Sequence, residues 1–245
     1  MEIRDGIGHQ EDEICSFLLI GQSNMAGRGE FGEVAPIDNP RCYMLRMGRW
    51  QKMREPINPD RGIFEGKFHS GVGLGASFAD GVANAFGIKV GLIPCADGGT
   101  ALSQWMPGEV LFDHAVLMTQ LARRSSRLGG ILWHQGESDC STEANVAAYK
   151  EKFITMITAL RQALGAEELP LLIGKLSEQI GAEWGVLDRP RRLNAVFEEL
   201  ARELPHTATV SAQGLSLKPD NLHFDAAAQR AFGTRYFEAY RTLLG

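Results

Sequence analysis

Five short apolar runs alternate along this chain with five longer amphipathic stretches. The apolar runs predict strands over residues 17–20, 89–94, 130–134 and 169–175, with a weaker fifth strand over 207–211. The longer stretches predict helices over residues 74–86, 110–128, 143–164, 190–203 and 226–244. Nearly continuous apolar strands between amphipathic helices are typical of a parallel sheet whose two faces are both covered. The sequence therefore predicts an α/β fold with a central parallel sheet.

Capping residues indicate where several of these helices begin and end. Ser141 or Thr142 is suited to cap the helix over 143–164, with the acidic Glu143 in its first turn. Gly129 and Gly165 each follow an apolar-periodic stretch, as glycines that end helices do.

The length and composition favour one domain. At 245 residues and 44% hydrophobic, the chain is long enough for one sizeable core. We expect one domain over 1–245, with residues 1–13 as a flexible or peripheral N-terminal segment. Residues 28–70 are rich in Gly, Pro, Asn and charge, and predict a long surface excursion of the kind that often lines a site.

Charge and cysteine usage exclude several classes of function. The net charge is −5 and there is no basic block, which argues against nucleic acid and anionic membrane as partners. The N-terminus has no secretion-signal pattern, so the expected location is cytoplasmic, although a secreted form whose leader has been removed would look the same. Four scattered cysteines without a CxxC pair favour buried hydrophobes over a disulfide scaffold or zinc knuckle. We expect no cofactor and no metal, and the sequence does not specify the oligomeric state.

Polar or glycine-rich segments follow three of the predicted strands. They are residues 21–24 (GQSN), 95–100 (CADGGT) and 134–139 (HQGESD). Because ligands of open parallel sheets bind beyond the carboxyl ends of the strands, these segments are expected to meet at one edge. Asp220 and His223 come just before the last predicted helix, where a loop can fold over that edge.

These residue types suit acyl transfer. A serine hydroxyl such as that of Ser23 needs a base within hydrogen-bond reach, and a histidine such as His223 can act as that base near neutral pH. Asp220 can fix the tautomer of that base. The backbone N–H groups of Ser23 and of Gly98 or Gly99 are candidate donors to the oxyanion that the attack creates. The side-chain amide of Gln135 is a further candidate donor.

Plainer interpretations stand beside these roles. Ser23 is also suited to cap a helix, and Gly98-Gly99 to form a tight turn. Asp220 can equally be a helix cap, and Asp225 rivals it as the partner of the base, although its position just before an apolar helix suits an N-cap better.

Other candidates near the third strand compete with this assignment. A pair formed by Glu137 and Asp139 would suit glycoside hydrolysis, but it leaves Ser23 and His223 unused. The cluster of His134 with these two carboxylates is a remote metal-site candidate. We expect His134 to pack or hydrogen-bond beneath Gln135, and Glu137 to hold the loops at the cleft by hydrogen bonds.

Four motifs together resemble the SGNH-hydrolase superfamily. They are GQSNMAG at 21–27, GGT at 98–100, WHQGESD at 133–139 and DNLHFD at 220–225. The chain is most similar to the branch of family-six carbohydrate esterases (acetylxylan esterases) and sialate O-acetylesterases. Gln22 stands where many superfamily members have Asp, and Gln135 stands in for the usual asparagine donor; both changes are shared by this branch.

The resemblance implies a flavodoxin-like three-layer α/β/α fold and a serine esterase. It implies Ser23 as nucleophile, His223 as base and Asp220 as orienting acid, with oxyanion donors on Ser23, Gly99 or Gly98, and Gln135. The expected reaction is removal of O-acetyl groups from an acetylated carbohydrate through an acyl-enzyme.

Further residues are expected to support this site. We expect Trp105 to line the leaving-group side unless it is a partly buried anchor. Arg28 is expected to bind sugar hydroxyls or to pair with an acid, and Gln22 and Asn24 to support the site beside Ser23. The alternatives are a broader short-chain esterase, lipase or thioesterase of the same fold, or a non-catalytic carbohydrate-binding protein.

Overall fold

All strands in the described part of the chain belong to one seven-stranded sheet. The computed structural model describes residues 13–59, 69–180 and 188–245. The strands are β1 (Ile14–Gly21), β2 (Cys42–Arg46), β3 (Arg49–Lys52), β4 (Lys89–Pro94), β5 (Ser126–His134), β6 (Leu171–Gly174) and β7 (Thr207–Val210). The α-helices are α1 (Ser23–Ala26), α2 (Leu74–Phe86), α3 (Val110–Ala122), α4 (Glu143–Leu164), α5 (Asp188–Glu203) and α6 (Ala226–Leu244). Two short 3₁₀ helices cover Leu102–Trp105 and Asp139–Ser141.

The sheet has the order β3-β2-β4-β1-β5-β6-β7, with β1 in its centre. Every neighbouring pair is parallel except β2 and β3, which pair antiparallel at one edge. After β1 the chain builds β2, β3 and β4 on one side of this strand, and it then crosses to β5, β6 and β7 on the other side. Open α/β folds bind ligands at such a switch in strand order. The carboxyl ends meet there: Gln22 N–H donates to the His134 carbonyl at 2.9 Å, and Asp97 N–H donates to the Gly21 carbonyl at 2.9 Å.

Helices cover both faces of the sheet, which confirms the three-layer α/β/α prediction. Successive residues of β1 point to opposite faces: Phe17 packs into the core under α2 and α6, and Leu18 into the core under α3, α4 and α5. On the first face, the ring of Phe17 meets those of Phe78 and Tyr240 edge-on at 4.9 and 5.1 Å. The Tyr236 hydroxyl donates to the Trp133 carbonyl at 2.8 Å, which ties α6 to β5.

The predicted helix ends were partly correct. Asn145 N–H donates to Thr142 Oγ1 at 3.2 Å, so Thr142 is the cap of α4, and Gly165 ends that helix in the left-handed region at φ 55°. The helix predicted over 110–128 is too long, because α3 ends at Ala122 and β5 begins at Ser126. Gly129 therefore lies inside β5, where an added Cβ would be 2.4 Å from the Cys15 sulfur.

The excursion predicted over 28–70 contains a hairpin that the sequence analysis missed. β2 joins the sheet beside β4, and β3 folds back on β2 through Met47 and Gly48, both at positive φ. Two central residues of that kind match the right-handed twist of a hairpin. Residues 60–68 of the excursion, and residues 1–12 of the predicted N-terminal segment, lie outside the described residues.

The four cysteines are all buried and unpaired, as predicted. Burial raises the pKa of the Cys15 thiol to about 11, so this thiol is protonated at neutral pH. None of the described helices combines the length and the apolar character that a membrane span requires.

Candidate active site

Ser23 stands directly beyond the carboxyl end of the central strand. It is the first residue of α1, so its backbone N–H has no acceptor within the helix. The chain turns sharply here at Gly21, whose φ is +135° and where an added Cβ would lie 2.0 Å from the His134 carbonyl oxygen. Glycine is therefore required at 21, and the tight turn that it permits places Ser23 at the edge of the sheet.

His223 and Asp220 reach this serine from the loop that precedes α6. His223 Nε2 lies 2.9 Å from Ser23 Oγ, and His223 Nδ1 lies 2.8 Å from Asp220 Oδ2. The other carboxylate oxygen, Asp220 Oδ1, accepts the backbone N–H groups of Leu222 at 3.0 Å and His223 at 2.9 Å. The three side chains thus form a continuous hydrogen-bonded chain between segments 200 residues apart.

The environment of Asp220 keeps its carboxylate charged. Burial acts to raise its pKa, but hydrogen bonds from the His223 backbone, the His223 ring and the Leu222 backbone outweigh burial, and the pKa is lowered. A carboxylate at this position can stabilise the cationic form of the imidazole during proton transfer.

A cavity of about 230 Å³ opens beside these residues. It is lined by Gln22, Ser23, Gly98, Gly99, Glu137, Ser138, Ser141, Leu222 and His223. The sequence analysis did not assign Ser138, Ser141 or Leu222 to the site, although Ser138 lies in the segment expected to follow the third strand.

The two glycines form the wall beside the serine. A Cβ added at Gly98 would lie 3.5 Å from Ser23 Cβ, and Gly99 has φ +76° with open space where a Cβ would be. The backbone N–H groups predicted as oxyanion donors, those of Ser23 and of Gly98 or Gly99, therefore belong to residues at the same wall of the cavity.

The structure does not place the Gln135 amide among them, which corrects that prediction. Gln135 is fully buried, and its Nε2 donates to the Thr100 carbonyl at 2.9 Å and to Asp139 Oδ2 at 2.6 Å. The Gln22 amide lies within 3.2 Å of the same nitrogen. Gln135 does not line the cavity, because its amide is used to join β5 to the neighbouring loops.

Of the two residues predicted to contact the substrate, Trp105 is buried in the core and Arg28 lies near the cavity. The expectation that Trp105 lines the leaving-group side is wrong: its side chain is buried, and its Nε1 donates to Thr100 Oγ1 at 3.1 Å. The alternative interpretation as an anchor is correct, since the indole packs edge-on against Trp133 at 5.6 Å. Arg28 lies beside the cavity, and an added Cβ at Gly98 would be 2.6 Å from its guanidinium.

Glu137, which lines the cavity, is a buried charged residue. Glu137 Oε1 is 3.1 Å from His134 Nε2 and accepts Asn24 Nδ2 at 2.7 Å. Burial acts to raise the Glu137 pKa, but the charge and hydrogen bond of His134 and the bond from Asn24 lower it. Glu137 therefore holds segments together at the cleft, as predicted.

The glycosidase and metal alternatives gain no geometric support. The Asp139 carboxylate is occupied by structural hydrogen bonds, since it accepts the Leu102 N–H at 2.9 Å as well as the Gln135 amide. Among the described residues, no group of three or more His, Cys, Asp or Glu side chains is arranged to hold a metal ion.

Comparison with known proteins agrees with a carbohydrate esterase. Residues 14–242 match the family described as carbohydrate esterase, sialic acid-specific acetylesterase. A probable carbohydrate esterase of Arabidopsis thaliana is 33% identical over 243 residues, which cover 91% of this chain and 89% of the plant protein.

Solved structures share the fold. An X-ray structure of an Arabidopsis thaliana protein superposes with a TM-score of 0.81 at 32% identity, covering 94% of this chain and 98% of that one. The crystal structure of NanS superposes with a TM-score of 0.72 at 19% identity, covering 95% of this chain and 98% of that one. The family match and the shared fold thus identify a carbohydrate esterase with an α/β fold. The chain belongs to the family of carbohydrate esterases described as sialic acid-specific acetylesterases.

Proposed function

We propose that this protein is a serine esterase that removes O-acetyl groups from carbohydrates through an acyl-enzyme intermediate. The observation that supports it is the hydrogen-bonded chain from Ser23 Oγ through the His223 ring to Asp220, with distances of 2.9 and 2.8 Å. A serine without such a base is a poor nucleophile at neutral pH.

Acylation follows from these contacts. His223 Nε2 takes the proton of Ser23 Oγ as the oxygen attacks the acetyl carbonyl carbon, and Asp220 stabilises the imidazolium through Nδ1. The negative charge that develops on the carbonyl oxygen is met by backbone N–H groups of Ser23 and of Gly98 or Gly99. Loss of one such donor typically lowers turnover about 10²–10³-fold.

The same histidine then completes the cycle. The imidazolium of His223 protonates the leaving sugar oxygen, and the sugar departs while the acetyl group stays on Ser23. Neutral His223 next removes a proton from water, which attacks the acetyl carbon and releases acetate. The proton passes back to Ser23 Oγ, and the enzyme is restored.

The shape of the cavity favours a short acyl group. Its volume is about 230 Å³, and two glycines without side chains form the wall next to Ser23. O-acetylated sugars are the substrate class that we propose. Acetylated sialic acid follows from the family description, and acetylated xylan from the resemblance to acetylxylan esterases.

Release of p-nitrophenol from p-nitrophenyl acetate tests the mechanism. Ser23→Ala is expected to abolish both turnover and labelling by a fluorophosphonate probe. Ser125→Ala is the matched control, because Ser125 is exposed at the amino end of β5, on the opposite edge of the sheet. Unchanged turnover in Ser23→Ala would falsify the assignment.

Substrate panels separate the alternatives. A series of p-nitrophenyl esters from acetate to octanoate should show falling activity, whereas steadily rising activity indicates a lipase or thioesterase. Acetate release from acetylated sialic acids and from acetylated xylan identifies the carbohydrate. Sugar binding without fluorophosphonate labelling supports a non-catalytic binding protein.

A further inference from the structure

Asn24 binds the main chain on both sides of the proposed base. Its Nδ2 donates to the Leu222 carbonyl at 3.2 Å, and its Oδ1 accepts the Phe224 N–H at 3.1 Å. Leu222 and Phe224 flank His223, and Asn24 directly follows Ser23. One fully buried side chain therefore joins the segment of the nucleophile to the segment of the base.

A second pair of side chains fixes the orientation of this amide. Asn24 Nδ2 also donates to Glu137 Oε1 at 2.7 Å, and Glu137 is buried beside His134. A carboxylate can only accept hydrogen bonds, so it holds Nδ2 toward itself and leaves Oδ1 facing the Phe224 N–H. The His134 ring is in turn held edge-on between Phe224 and Phe232, at 5.9 and 5.3 Å.

The two contacts of His223 depend on different parts of the structure. Asp220 and His223 lie in the same turn, so their contact is local. The contact of His223 with Ser23 spans 200 residues and requires a separate connection between the two segments. The hydrogen bonds of Asn24 supply that connection next to the reacting atoms.

We propose that Asn24 is a positioning residue that sets the distance between Ser23 and His223, with Glu137 and His134 holding its amide in the required orientation. The proposal rests on the proposed roles of Ser23 and His223. In this role the Asn24 side chain does not contact the substrate. Loss of its hydrogen bonds should therefore lower kcat and leave KM nearly unchanged.

Asn24→Asp is the most direct perturbation because it preserves shape. It places a carboxylate 2.7 Å from that of Glu137 and removes the donor to the Leu222 carbonyl. Misplacement of a reacting group by about 1 Å can cost about 10²-fold in rate, and we expect kcat per fluorophosphonate-reactive serine to fall by about that factor.

Glu137→Gln in the same chain should restore part of the loss. The amide that it introduces can donate to the carboxylate at position 24, whose second oxygen remains free to accept the Phe224 N–H. The His134 ring can accept from the same amide at Nε2 when its proton lies on Nδ1. The double variant N24D/E137Q is expected to recover about tenfold of the lost kcat, as an interaction between contacting residues in a double-mutant cycle.

Asn39→Asp is the matched control. Asn39 is also buried, donates Nδ2 to a carboxylate, that of Asp80 at 2.8 Å, and accepts the Arg41 N–H at 2.9 Å. It precedes β2 at the amino edge of the sheet, away from the cavity. This variant should lose stability without losing kcat per reactive serine, which separates a positioning role from a structural one.

Two further readouts make the test decisive. The acid limb of the pH profile of kcat/KM should not move, because the turn that joins Asp220 to His223 stays intact. Amide exchange at Phe224, followed by NMR, should accelerate in Asn24→Asp whether or not the protein hydrolyses esters. Inactive wild-type protein with protected Phe224 would therefore refute the proposed function and leave the connection itself supported.

Three results would overturn the proposal. They are a kcat within threefold of wild type in Asn24→Asp, a rise in KM in place of the fall in kcat, and a double variant no better than the single one. Should Asn24→Asp not fold, Glu137→Gln alone replaces it. That change weakens the same connection, and we expect kcat to fall about tenfold; an unchanged kcat would equally overturn the proposal.

Discussion

Replacing Asp220 by Asn should damage catalysis more than deleting the side chain. Asp220 Oδ1 accepts two backbone N–H groups, from Leu222 and His223, so the amide oxygen of Asn must occupy that position. The NH₂ group then faces His223 Nδ1 at the place of Oδ2 and donates to it. This fixes the ring proton on Nε2, which faces Ser23 Oγ and can no longer accept a proton.

The tautomer adds to the lost charge in Asp220→Asn. Both variants lose the carboxylate, which is 44% exposed, so the difference between them reports the effect of the tautomer. General-base assistance contributes about 10²–10⁴ in rate. We therefore expect kcat/KM to fall about 10³–10⁴-fold in Asp220→Asn, or about 4–5 kcal/mol. In Asp220→Ala the ring is free to choose its tautomer, and the fall should be about 10²-fold.

The assay compares both variants on p-nitrophenyl acetate, with ¹⁵N shifts of the His223 ring reporting the tautomer. Asp225→Asn is the control, because Asp225 caps α6 through Ala228 N–H at 2.7 Å and Asn caps a helix equally well. It should keep full activity. The reasoning is refuted if Asp220→Asn retains a tenth of wild-type activity or is less impaired than Asp220→Ala.

Three other changes have defined outcomes. The folded-state pKa of Glu137 is lowered, so the stability that this carboxylate contributes is present above about pH 4.3 and is lost as the pH falls through the folded-state pKa. The free energy of unfolding of Glu137→Gln, measured by urea denaturation from pH 3 to 7, should therefore depend less on pH than that of the wild type. Gly99→Ala should lower the free energy of unfolding by about 1 kcal/mol, because φ is +76° with no steric neighbour, as urea denaturation will measure. Trp105→Phe should lower the free energy of unfolding by about 1–2 kcal/mol because Thr100 Oγ1 loses its indole donor, and KM for acetate esters should stay unchanged. A raised KM would indicate that Trp105 contacts the substrate after all.

The sequence predicted the central features of this fold because strand ends are marked by composition. Apolar runs that stop at Gly21 and His134 identify β1 and β5, and parallel pairing places their carboxyl ends together. That reasoning is sufficient to bring Ser23 to the edge of the sheet. The hairpin of β2 and β3 was missed because its short run lies in a stretch dominated by Gly, Pro and charge.

Strand ends marked by composition do not predict the direction in which a side chain points. Gln135 follows a strand end as an oxyanion donor should, but its direction depends on Asp139 and the Thr100 carbonyl, which only the folded structure brings within hydrogen-bond distance. Trp105 lies between β4 and α3, and its burial depends on packing against Trp133 from another strand. Each case depends in part on a contact with a distant segment, that of Thr100 for Gln135 and that of Trp133 for Trp105, and local pattern does not predict such contacts.

The loop that carries His223 leads directly into α6, whose aromatic side chains are part of the central core. Because the backbone of His223 continues into a helix packed on the sheet, we expect the imidazole to stay beside the serine for as long as α6 remains packed. On heating, hydrolytic activity and tertiary structure should disappear at the same temperature, and residual activity becomes a direct measure of the fraction of molecules still folded.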